Sequence, residues 1–174
     1  MVKKKPENQK QSVYIDTVFL IGYFEKGTMG KDAREVFQKV RKISRNSDII
    51  IKVPLIVLGE FSKVNLGEMS NLLKWNKHCS KCGTPMILND LFSGHGGIEA
   101  EFPSFKKEEY KLAYDLMEKD SQLQAADVLL VACALNDKTG EWLLTTDTFL
   151  IGNKVIEDFK EELGSNLKIA TRIG

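Results

Sequence analysis

Four acidic residues stand against apolar sequence. Asp16 closes Val13-Tyr14-Ile15-Asp16, and Glu60 follows the run from Pro54 to Gly59. Asp127 precedes Val128-Leu129-Leu130-Val131-Ala132-Cys133-Ala134-Leu135, and Asp147 ends Trp142-Leu143-Leu144-Thr145-Thr146-Asp147. A buried carboxylate is costly unless it is paired, protonated or bound to a metal. Carboxylates brought together repel one another, and a divalent cation is the simplest way to hold them. With oxygen ligands alone that ion is hard, Mg²⁺ or Mn²⁺. Asp16 and Asp127 are the expected principal ligands, with Glu60 and Asp147 completing the site directly or through water. Thr17 and Thr146 are either hydroxyls that orient the carboxylates or ordinary β-branched strand ends.

Each acid also has a local reading. Asp16 and Asp147 suit the N-caps of following helices, and Glu60 suits a first helical turn. Asp127 is different, because Ser121-Gln122-Leu123-Gln124 fits a capping box with Ser121 as N-cap. That start puts Asp127 about six positions inside the helix.

A second constellation is His78-Cys79-Ser80-Lys81-Cys82-Gly83, with His95 further on. Cys79, Cys82 and His95 are candidate zinc ligands, since a C-x-x-C-G turn aims two thiolates at one ion. A closed site needs four ligands, and a second subunit could supply the fourth; reactive or inert thiols are the default reading. Three cysteines are too few for a disulfide scaffold and fit a reducing cytoplasm. Cys133, inside the apolar run, suits the core.

The elements that position these residues follow from period and turn signals. Strands are expected at Val13–Thr17, Asp48–Val53, Trp142–Asp147 and Leu167–Ala170, and helices at Asp32–Ile43, from near Glu60, Met69–Asn76, after Ser104, Ser121–Leu135 and Val155–Leu163. Gly164 is the expected stop of the last helix. Residues 83–103, with Gly94, Gly96 and Gly97 around His95, carry loop chemistry. Strands alternating with helices predict an α/β domain, a central parallel sheet between helical layers. The expected organisation is a basic flexible arm over 1–11, then one domain over 12–174 with an insert at about 76–103.

Composition sets the outer limits. Hydrophobic residues make up 43% of the 174 and charged residues 28%, as in an ordinary globular domain, and the net charge is +1. No apolar run approaches the ~20 residues of a membrane span, and no signal peptide follows the lysine-rich start.

Tyr14-Ile15-Asp16-Thr17, Glu60 after a strand and a short turn, Ala126-Asp127 opening an apolar helix, and Leu144-Thr145-Thr146-Asp147 resemble, in order and spacing, the PIN domain. The resemblance implies a three-layer α/β/α fold and a Mg²⁺- or Mn²⁺-dependent endoribonuclease in the cytoplasm. In it Asp16, Glu60, Asp127 and Asp147 hold the metal. It also implies RNA as the substrate and, for a toxin of this family, an antitoxin protein as partner; a homodimer is expected, with no membrane. Two features depart from the family pattern: Val18 where many members have Asn, and the extra length at about 76–103. RNA would be gripped by Lys3, Lys4, Lys5 and by the segment carrying Lys31, Arg34, Lys39, Arg41, Lys42 and Arg45. Two other classes compete: a PIN-like binding module with weak or lost activity, and a phospho-accepting receiver domain. The second wants an adjacent acid pair after the first strand, where this chain has a lone Asp16.

Overall fold

The computed structural model describes residues 10–24, 28–44, 49–67 and 100–173. Its centre is an all-parallel sheet of β1 (Gln11–Ile15), β2 (Ile49–Lys52), β3 (Ala100–Glu101), β4 (Gly140–Leu144) and β5 (Lys168–Ala170). The spatial order is β3-β2-β1-β4-β5. Val13, Ile15, Ile51, Leu143 and Leu144 are buried, as strands covered on both faces require.

Six helices accompany the sheet among the described residues: α1 (Thr17–Phe24), α2 (Thr28–Ser44), α3 (Leu55–Gly67), α4 (Lys107–Lys119), α5 (Ala125–Asn136) and α6 (Lys154–Leu163). The right-handed crossover rule sends α1–α3 over one face and α4–α6 over the other. Helix contacts fall into the same two sets, with α3 also touching α5. The α/β architecture is therefore compatible with three layers. In α5 the side chains from Val128 to Leu135 are buried except the half-buried Leu129, which is why that stretch is apolar on every side. Gly164 ends α6 in the left-handed conformation at φ 62°, as its position predicts. No helix of the described residues is long and apolar enough to cross a membrane.

Several boundaries differ from the sequence expectation. Gln11, expected in the basic arm, opens β1 because the ladder with Ile49 extends the strand past its polar end. Residues 100–101, expected within the loop-like insert, form β3, held by Val53 N–H on the Glu101 carbonyl (2.9 Å). Helix α3 starts at Leu55, not near Glu60, since Pro54 serves its first turn with a carbonyl bonded by Val57 and Leu58. The helix at Met69–Asn76 and the Cys–His motif lie outside the described residues.

Candidate functional site

In this strand order β1 and β4 are neighbours whose connections leave in opposite directions, β1 toward β2 and β4 toward β5. Such a switch point opens a crevice beyond the carboxyl ends of the strands, where ligands of open parallel sheets bind. Asp16 follows the end of β1 there, and Asp147 lies three residues past the end of β4. Glu60 comes from α3, which departs from the same end of β2. Asp127 comes from the first turn of α5, whose far end leads back into the start of β4.

Asp16 is 3% exposed. Its backbone N–H bonds the Leu144 carbonyl at 3.0 Å, carrying the sheet one residue past β1. The buried Thr145 hydroxyl donates to its carboxylate at 2.5 Å. Burial raises the Asp16 pKa most, against the Thr145 and Thr17 hydrogen bonds, and the charges of Glu60 and Asp147 add to the rise. Asp127 is pushed up to about 6, first by burial and then by Asp16, Asp147 and Glu60 in turn. The four acids predicted from sequence thus share one electrostatic neighbourhood. Among the described residues, no basic group acts on Asp16 or Asp127.

Glu60 is tied to the site by the Thr17 hydroxyl, which donates to its carboxylate at 2.7 Å. Asp147 accepts the Phe149 N–H at 2.7 Å, and its own N–H donates to the Thr145 hydroxyl at 2.9 Å. Thr145 therefore bridges two of the acids, donating to Asp16 and accepting from Asp147.

Four local expectations need correction. Asp127 is not deep in a helix: Asp120 gathers the Gln122 N–H on its carboxylate (3.0 Å) and the Leu123 N–H on its carbonyl (3.2 Å). That turn keeps 121–123 out of the helix, so Gln124 is the N-cap and Asp127 a first-turn acid. Glu60 is mid-helix, so a first-turn dipole does not account for it. Asp147 caps a turn, not a helix, because α6 begins at Lys154 with Asn153 accepting from the Ile156 N–H. Finally, Thr146 is exposed and Thr145 is the hydroxyl on the acids. Strand β4 stops at Leu144, so the side chains of 145 and 146 no longer follow the alternation that their sequence suggests.

In charge and donor type this set fits a hard divalent cation: all-oxygen ligands, uncompensated negative charge, and carboxylates fixed by neighbouring hydroxyls. Among the described residues no group of three or more His, Cys, Asp or Glu is gathered closely enough to hold an ion as placed. The zinc candidates Cys79, Cys82 and His95 lie outside the described residues. Of the RNA candidates, Lys39 and Lys42 are exposed on α2; the side chain of Arg41 and all of Arg45 fall outside the description.

Two clefts flank the acids. One, of about 570 Å³, is lined by Val18, Phe19, Lys39, Thr146 and Arg172 among others. The second, of about 340 Å³, has Asp127 and Asp147 in its wall beside Phe149. Arg172 escaped the sequence analysis because nothing local distinguishes a lone arginine after the last strand. No protein-family model matches the chain, and a search of curated proteins found no match.

Proposed function

We propose that the protein is a PIN-type endoribonuclease that hydrolyses RNA phosphodiester bonds with Mg²⁺ or Mn²⁺. The observation that supports this reading is that acids from four separate segments act on one another near the switch point, with no basic group among the described residues acting on Asp16 or Asp127. A merely structural cluster would be expected to include the lysine or arginine that cancels it.

Asp16 and Asp127 would hold the ion, with Glu60 and Asp147 at its margin. The bound ion would supply Lewis-acid activation of water and offset charge on the phosphodiester oxygens. Thr145 holds the Asp16 carboxylate, and Thr17 holds that of Glu60, each through a hydroxyl hydrogen bond. Lys39 and Arg172, on the larger cleft, are suited to neighbouring phosphates of the strand. Action as a toxin with an antitoxin, and as a dimer, belongs to the same proposal; zinc on Cys79, Cys82 and His95 is a separate one that rests on the C-x-x-C-G spacing.

The test is a cleavage assay on mixed single-stranded RNAs with Mg²⁺ or Mn²⁺, with and without EDTA. Cleavage that needs metal and vanishes in Asp16→Asn supports the proposal. A variant that cuts as fast as the parent overturns it.

A further inference from the structure

The smaller cleft is lined by Gln122, Leu123, Gln124, Asp127, Asp147 and Phe149. Phe149 is 62% exposed, although Leu150 beside it is buried. A single exposed aromatic is ordinary on a protein surface. Here the backbone N–H of Phe149 bonds the Asp147 carboxylate at 2.7 Å, and the residue shares a concave wall with two of the four acids. Facing the same space are two exposed glutamines, each with amide donors and an acceptor. A flat apolar face beside amide groups matches a nucleobase, which has apolar faces and polar edges.

We propose that this cleft is a base-binding subsite: Phe149 stacks on the base next to the phosphate held at the acids, while Gln122 and Gln124 contact its edge. A base can enter such a site only when unpaired, so the substrate strand must be single-stranded there. This rests on the ribonuclease reading and adds a substrate class and a specificity element to it.

The test measures anisotropy of fluorescein-labelled single-stranded RNA octamers, U8 and A8, and of an octamer of abasic spacers. Ca²⁺ replaces Mg²⁺ in the buffer. The parent is expected to prefer base-bearing octamers by about tenfold or more. Phe149→Ala should lose that preference and Phe149→Trp should keep most of it. Phe149→Leu, which keeps apolar bulk without the flat face, replaces the alanine variant if that one fails to fold. The Gln122→Ala/Gln124→Ala pair should narrow the difference between U8 and A8 to within about twofold while preserving the preference over the abasic strand. Phe149→Ala behaving like the parent, or Phe149→Trp failing like alanine, overturns the stacking role. Equal binding of U8 and A8 by the parent overturns the edge-reading role. If the parent cuts RNA in Mg²⁺ but shows no preference for bases, the subsite falls and the ribonuclease stands. If it neither cuts nor binds RNA, both fall.

Discussion

Tyr14 and Asp16 are two residues apart, yet they belong to polar clusters of opposite electrostatic character. The Tyr14 hydroxyl donates to Asp137 at 2.9 Å, where Lys52 Nζ also bonds at 2.7 Å and the Thr139 hydroxyl and N–H complete the carboxylate at 2.7 and 2.9 Å. Burial works to raise the Asp137 pKa, but the Lys52 ammonium and the Thr139 donors outweigh it and hold the acid well below the usual range. Burial and the nearby Asp137 and Cys133 push the Tyr14 hydroxyl upward, and burial first lifts the Cys133 thiol to about 11. At the Asp16 end the same sheet gathers four acids, and burial together with their mutual repulsion raises Asp16 and Asp127. One cluster is electrostatically closed and ties α5 to β1 and β2; at the other, no basic group among the described residues acts on Asp16 or Asp127. That difference separates a structural polar network from a cluster of acids suited to the proposed cation.

The contrast is broken most directly by removing one acid from each cluster. Asp16→Asn or Asp127→Asn should lower metal-dependent RNA cleavage by about a thousandfold or more while the urea midpoint holds or rises, because repulsion is relieved. Asp137→Asn should do the reverse. It leaves the Lys52 charge, 16% exposed, with only the looser Glu101 contact at 3.8 Å, and should cost about 2–4 kcal/mol in urea unfolding. Gly140→Ala strikes the same closed region through packing. Its Cβ would come 2.6 Å from the Ala134 carbonyl oxygen and 3.0 Å from that of Asp137, both backbone atoms. A loss of about 1–3 kcal/mol is expected, read in the same experiment.

Titration should separate the clusters by sign. Asp127 has a folded pKa raised to about 6, so its stabilising effect is complete below its ordinary value near 4 and is lost as pH rises through 6. Asp137 has a lowered folded value, so its stabilising effect is present above pH 4 and is lost as pH falls through the lowered value. Without metal, stability in urea should drop by about 1–2 kcal/mol between pH 4.5 and 7.5, and Asp127→Asn should flatten that slope. Added Mn²⁺ should raise the melting temperature at pH 7.5 and do so much less at pH 5, where protons compete for the same oxygens. A flat pH profile in the parent would remove the distinction between the clusters.

The smallest effect sharpens the picture within one turn. Thr145→Val removes a donor to Asp16 and an acceptor for the Asp147 N–H, and should cost about 1 kcal/mol of stability and about tenfold in cleavage. Thr146→Val, on an exposed neighbour, should change stability by less than about 0.5 kcal/mol.

Much of the architecture was legible from period alone. The apolar runs at Val13–Ile15 and Leu143–Leu144, the heptad-like spacing through α2 and the Gly164 stop each follow from local chemistry, so the parallel α/β class could be read directly. The helix ends were less legible, because the Asp120 turn and the Pro54 start depend on which backbone donors find partners. The four acids stood out against apolar sequence, but what lies between them and around them did not. Thr145 and Thr146 are alike in sequence, and only the end of β4 decides which hydroxyl faces the carboxylates.

Sequence by itself determined the strand–helix alternation, the buried character of α5 and the four anomalous acids, since hydrophobic period and isolated charge are properties of neighbouring residues. Tertiary structure alone decided the strand order, and with it the switch point that brings Asp16 and Asp147 together. It also decided that Lys52 pairs with Asp137 while no basic group among the described residues acts on Asp127. Pairing across the sheet is set by packing between segments far apart in the chain, and the energy of a charge depends on which of those segments arrives beside it.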